Sequence, residues 1–128
     1  ISEETQSAVA ETKKSINYVL DITEFSKVIS DIRDIQNYIF NNKIESAIIK
    51  LPVVKERLIY IKLRPEFHIF ADENQCQALI TKYELNLQSL RDFLELNRSF
   101  NKINLQRELE QLSTLFMNIE MSLKIKSL

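Results

Sequence analysis

The chain has 128 residues, of which 45% are hydrophobic and 27% charged, with no glycine, two prolines and one cysteine. That size suits one domain built around a single core, and the composition argues against both disorder and a membrane span. With 17 basic against 18 acidic residues the net charge is −1, too little for a global field that gathers nucleic acid or an anionic membrane.

Apolar residues recur at alternating spacings of three and four in four separate stretches, the pattern of a helical-bundle or coiled-coil seam. The first stretch holds Tyr18, Ile22, Phe25, Ile29, Ile32 and Ile39, interrupted by Gln36. It lies in a segment without helix breakers from Glu3 to Phe40, read as one long helix whose first fifteen residues are thinly apolar. Residues 1–15 are therefore expected to overhang a bundle domain formed by residues 16–128. Asn41 and Asn42 end this helix, because asparagine tolerates the positive φ that glycine would otherwise supply.

The second stretch holds Ile44, Ala47, Leu51, Val54, Leu58 and Ile61. Pro52 lies inside it, yet the seam keeps its phase, so residues 43–63 are read as one kinked helix; the alternative is two short helices broken near Lys50. Pro65 ends this segment at Arg64. Asp72 is the expected N-cap of the next helix, which runs to about Arg98 along Cys76, Ile80, Tyr83, Leu87, Leu90 and Leu94. A turn at residues 99–101 leads to the last helix, with Leu105, Leu109, Leu112, Phe116, Ile119 and Leu123 inside and Lys124 and Lys126 at its negative end.

Connections of roughly three to seven residues favour antiparallel neighbours. The expected fold is all-α: an antiparallel up-down-up-down four-helix bundle with an elongated first helix. Ile49, Ile59, Tyr60, Leu63, Phe93, Leu96 and Leu115 widen the apolar faces beyond a two-stranded coil. Phe40 and Phe100 are expected to meet at one end of the bundle, and Phe67, Ile69 and Phe70 to crowd the other.

Candidate chemistry is sparse. His68 is the lone histidine, so a metal site or a nucleophilic triad would recruit from a short list. Helical-bundle ribonucleases of the higher eukaryote and prokaryote nucleotide-binding type pair an arginine with a histidine a short distance on. The stretch from Arg64 to His68 has a shorter spacer of three residues, opened by Pro65, and falls at a connection. Cys76 on the third seam reads as a small buried hydrophobe, since Asp72 and Glu73 oppose a thiolate. Asp31 with Asp34, and Glu108 with Glu110, lack the histidine partners of a bundle di-iron centre and read as solvated faces. No catalytic, metal or cofactor-binding residue is assigned.

Lys43, Lys50, Arg57 and Arg64 recur every seven residues on the second segment, while the first helix carries seven acids against four bases. Such flanking charge sets pairing between neighbouring helices. Without interleaved aromatics it gives no platform for single-stranded nucleic acid.

The expected function is a non-enzymatic interaction or oligomerisation module, a regulatory or scaffolding part of a larger intracellular, cytoplasmic protein. Its partner would be a protein or a second copy of the chain, not nucleic acid or a small-molecule substrate. The expected partner-binding residues are Val9, Phe67, Ile69, Phe70, Lys43, Lys50, Arg57 and Arg64. Two alternatives stand beside it: a ligand-sensing bundle of a signalling receptor, and a degenerate bundle ribonuclease.

Overall fold

A computed structural model describes residues 2–128, and the backbone alone for 11–16. The protein is all-helical, with 84% of its residues in helix and no strand among the described residues. Five α-helices follow in order: α1 (Glu3–Phe40), α2 (Ile44–Lys50), α3 (Pro52–Lys62), α4 (Glu73–Leu96) and α5 (Lys102–Lys126). A single 3₁₀ turn, Pro65–Phe67, lies between α3 and α4. Among the described residues no helix is long and apolar enough to cross a membrane.

Five helices replace the expected four because residues 43–63 divide at Leu51. Pro52 has no N–H to give the preceding turn, so the helical ladder loses a bond and restarts with the proline at the first position of α3. The backbone at Leu51 keeps right-handed helical angles, φ −54° and ψ −35°. Its N–H donates to Ala47 O at 2.9 Å, and its own carbonyl accepts from Val54 N–H at 3.0 Å. Ala47, Leu51 and Val54 are all buried, so the apolar stripe passes the break without losing its face.

Asparagine does the work of glycine at two helix ends. Asn42 has φ 58°, and Asn97 has φ 53° in the left-handed region. The second ends α4 at Leu96, two residues short of the expected end at Arg98. Helix starts are capped by side chains: Ser2 accepts from Thr5 N–H, and Asn101 from Asn104 N–H. At α4, Asp72 and Gln75 form a reciprocal capping box.

One contiguous core runs through all five helices. The second and fourth stripes are wholly buried. In α1, Ile35 is fully buried where the first stripe had Gln36, whose amide instead donates to Glu110 on α5 at 3.1 Å. Leu94 is 43% exposed, and Phe93 closes that end in its place by meeting Phe100 edge-on at 5.3 Å. Phe40 does not join them: it is exposed beside the Asn41 turn. Of the residues expected to widen the apolar faces, Tyr60, Phe93 and Leu115 pack on the core, whereas Ile49, Ile59, Leu63 and Leu96 are exposed.

α1 packs against α2, α3 and α5, and α4 against α2 and α3. Across the remaining gap Asn86 of α4 donates to Glu108 of α5. Side chains of residues 2–10 are exposed, and among the described side chains of α1 the first fully buried one is Phe25. At about 1.5 Å per residue, the 38 residues of α1 reach about 57 Å against about 36 Å for α4.

Candidate functional site

The expected partner residues fall into three structural settings. Phe67 is a core residue, 3% exposed, meeting Phe25 edge-on at 5.7 Å and Tyr60 at 5.9 Å. The 3₁₀ turn brings it there, with Pro65 fixing the backbone and Phe67 N–H donating to Arg64 O at 3.0 Å. Phe70 packs partly on the same core, while Ile69 points outward at 85% exposure. Val9, on the α1 extension, is 50% exposed.

Three of the four basic residues are engaged within the fold. Lys50 donates to Asp34 at 2.7 Å and pairs with Asp31 at 3.4 Å, joining α2 to α1. The Asp34 hydrogen bond is the main reason the Lys50 ammonium is held above its ordinary pKa. Arg57 pairs with Glu24 at 3.2 Å and lies over the rings of Tyr60, at 4.8 Å, and Phe25, at 5.3 Å. Arg64 covers Tyr60 from above at 4.5 Å and faces Glu66 at 3.8 Å. Lys43, at the start of α2, is exposed and its side chain makes no hydrogen bond or ion pair among the described residues.

Tyr60 is the centre of this arrangement. Its hydroxyl donates to the Asp21 carboxylate, and burial first, then that bond, pushes its pKa up to about 12. Burial likewise raises the Cys76 thiol, with Asp72 adding to it, and the Tyr83 hydroxyl, with Glu84 adding to it. All four shifts leave the folded state holding a proton that the unfolded chain has released. Their contribution is therefore complete below the unfolded pKa values and disappears as pH rises through the folded ones. Stability should fall progressively above about pH 9, where the thiol leads. The decline across pH 10–12 should be shallower in Tyr60→Phe, as urea midpoints measured against pH would show.

The chemistry-bearing residues are otherwise occupied. His68 Nε2 donates to Lys62 O at 2.9 Å, tying the connection back to the end of α3. Cys76 is fully buried, with Sγ 3.6 Å from Ala71 O. Glu108 accepts from Asn86 and Asn104, and Glu110 from Gln36. Among the described residues no group of three or more His, Cys, Asp or Glu is placed to hold a metal ion.

One feature was not anticipated from the sequence. A cleft of 330 Å³ opens between α1, the connection after α3 and the last turns of α5, where the α1 extension leaves the core. Tyr18 and Asp21 line one wall, Phe67 and Phe70 another, and Ser122 and Lys126 a third. These residues come from three distant segments and, taken singly, read as helix surface or core. Comparisons with protein-family models, with curated proteins and with solved structures return no match.

Proposed function

We propose that the protein is a non-enzymatic helical interaction module in which the extension of α1 pairs with a second copy of the chain. Within the copy, α2 and α3 act as one bent rod, giving an up-down-up-down bundle of four rods. The pairing pattern supports that topology. Ser26 and Gln36 on α1 meet Glu120 and Glu110 on α5, while Asp21, Glu24 and Asp34 meet Tyr60, Arg57 and Lys50. In each set one number rises as the other falls, as antiparallel neighbours require.

The observation that carries the functional reading is the extension itself, a continuous helix over residues 3–17 with the side chains of 2–10 exposed. Exposed turns at a helix end gain nothing from tertiary packing, from which most helical stability comes, so burial against a partner would stabilise them. Val9 offers an exposed apolar side chain for close approach, with Glu3 and Glu4 before it and Lys13 and Lys14 after it in the sequence. Two extensions laid antiparallel bring those opposite charges together. A regulatory or scaffolding role inside a larger cytoplasmic protein fits such a module.

Light scattering on the full chain and on a chain lacking residues 1–15 tests this. The full chain should self-associate with rising concentration, and the shortened one should be a folded monomer by circular dichroism. A full chain that stays monomeric at all concentrations would sink the proposal.

A further inference from the structure

The cleft at the base of the extension has an apolar floor and a polar mouth, the arrangement of a small-ligand pocket. Phe67, Ile119 and Leu123, all core residues, form the floor. On α5, Ile119, Ser122 and Lys126 stand three and four residues apart, hence on one face. The two acids of the lining are engaged, Asp21 by the Tyr60 hydroxyl and Glu66 by Arg64. Lys126, by contrast, makes no ion pair or hydrogen bond through its side chain among the described residues, and neither do the Ser122 hydroxyl nor the Asn17 amide beside it.

We propose that this cleft binds a small amphipathic carboxylate, with its aromatic or aliphatic body on Phe67, Ile119 and Leu123 and its carboxylate at Lys126 and Ser122. The volume of 330 Å³ sits at the lower end of the range for small-ligand pockets, about 300–1,000 Å³, which sets the size of the molecule. An amine would meet Lys126 and Arg64 as like charge. A neutral molecule would forgo the charge-assisted bond to Lys126, and a polyanion would meet Asp21 and Glu66. One carboxylate on an apolar body answers the Lys126 ammonium and the Ser122 hydroxyl together and covers the apolar floor. This site stands whether or not the α1 extension pairs.

Isothermal titration of the full chain with 3-phenylpropionate and with octanoate, against 3-phenylpropionamide as the uncharged match, tests the assignment. At least one carboxylate should bind saturably at one site, and the amide on the order of tenfold more weakly or not at all. Lys126→Ala, at an exposed position, should weaken carboxylate binding by a similar factor with an unchanged circular dichroism spectrum. Ser122→Trp should block it by filling the cleft. Absence of saturable binding by either carboxylate, equal affinity for the amide, or wild-type affinity in Lys126→Ala would each overturn the proposal.

Discussion

Phe25→Ala is expected to lower the free energy of unfolding by about 3–5 kcal/mol, the range for removing a buried phenylalanine side chain. Phe25 has no exposed surface, and its ring meets Tyr60 at 6.5 Å, Phe67 at 5.7 Å and Phe116 at 6.1 Å. Those three neighbours belong to α3, the 3₁₀ turn and α5, so one side chain of α1 joins four parts of the chain. Truncation would leave a cavity among rings held by several elements, which cannot all move in to fill it. Arg57 would also lose one of its two ring contacts, at 5.3 Å. Against a total stability of about 5–15 kcal/mol for a domain, the loss is a large fraction. Urea denaturation should show a lower midpoint with an unchanged slope. A change below about 1 kcal/mol would mean that the four elements do not share this cluster.

Phe67→Ala should be nearly as damaging, at about 3 kcal/mol, whereas Ile69→Ser should change stability by no more than about 0.5 kcal/mol. The two residues stand two apart on one connection, yet Phe67 is 3% exposed and Ile69 is 85% exposed. The 3₁₀ turn produces the difference: it folds Phe67 inward onto Phe25 and Tyr60 and leaves Ile69 in water. Because Phe67 also lies on the floor of the cleft, its truncation enlarges that space. Phe25 and Phe67 touch, so their losses should not add; the double variant should fall short of the sum. Thermal unfolding of the two single variants would separate the roles. Equal effects would contradict the inward and outward assignment.

The stripes at spacings of three and four were legible because core burial repeats with the helical period, and every residue of the second and fourth stripes is buried. Where reading failed, a local competitor decided the outcome. Gln36 hid Ile35, which follows Ile32 by three and precedes Ile39 by four and so shares their buried face, while the long amide of Gln36 turns aside to Glu110. Pro52 was visible as a disturbance, but a kinked helix and two abutting helices share one sequence pattern, and the missing N–H tipped the result to two. Leu94 fits the third stripe, yet the left-handed Asn97 stops α4 so soon after it that Phe93 and Phe100 close the end instead. The cleft itself could not be read, although an antiparallel bundle puts the Phe67 and Phe70 connection at the end that holds Leu123 and the base of the extension. Its walls come from residues 17–21, 64–70 and 119–126, and only their meeting turns solvated polar side chains into a converging set.

Charge was legible as a stripe and illegible as function. Lys50, Arg57 and Arg64 lie seven residues apart, as a charged flank beside a seam should, and each is engaged by Asp34, Glu24 or Tyr60. Lys43 alone of the four extends from the fold without a partner among the described residues. Lys50, Arg57 and Arg64 thus serve the folding of the chain itself.

We propose the α1 extension as a pairing surface rather than part of the fold. Amide hydrogen exchange, followed residue by residue at low and at high protein concentration, addresses it most directly, because exchange reports local opening separately from global unfolding. Protection over residues 3–15 should be weak in dilute solution and rise with concentration, while protection of core amides such as those of Ile32, Leu58 and Phe116 stays constant. Exchange over residues 3–15 that is independent of concentration would contradict the account.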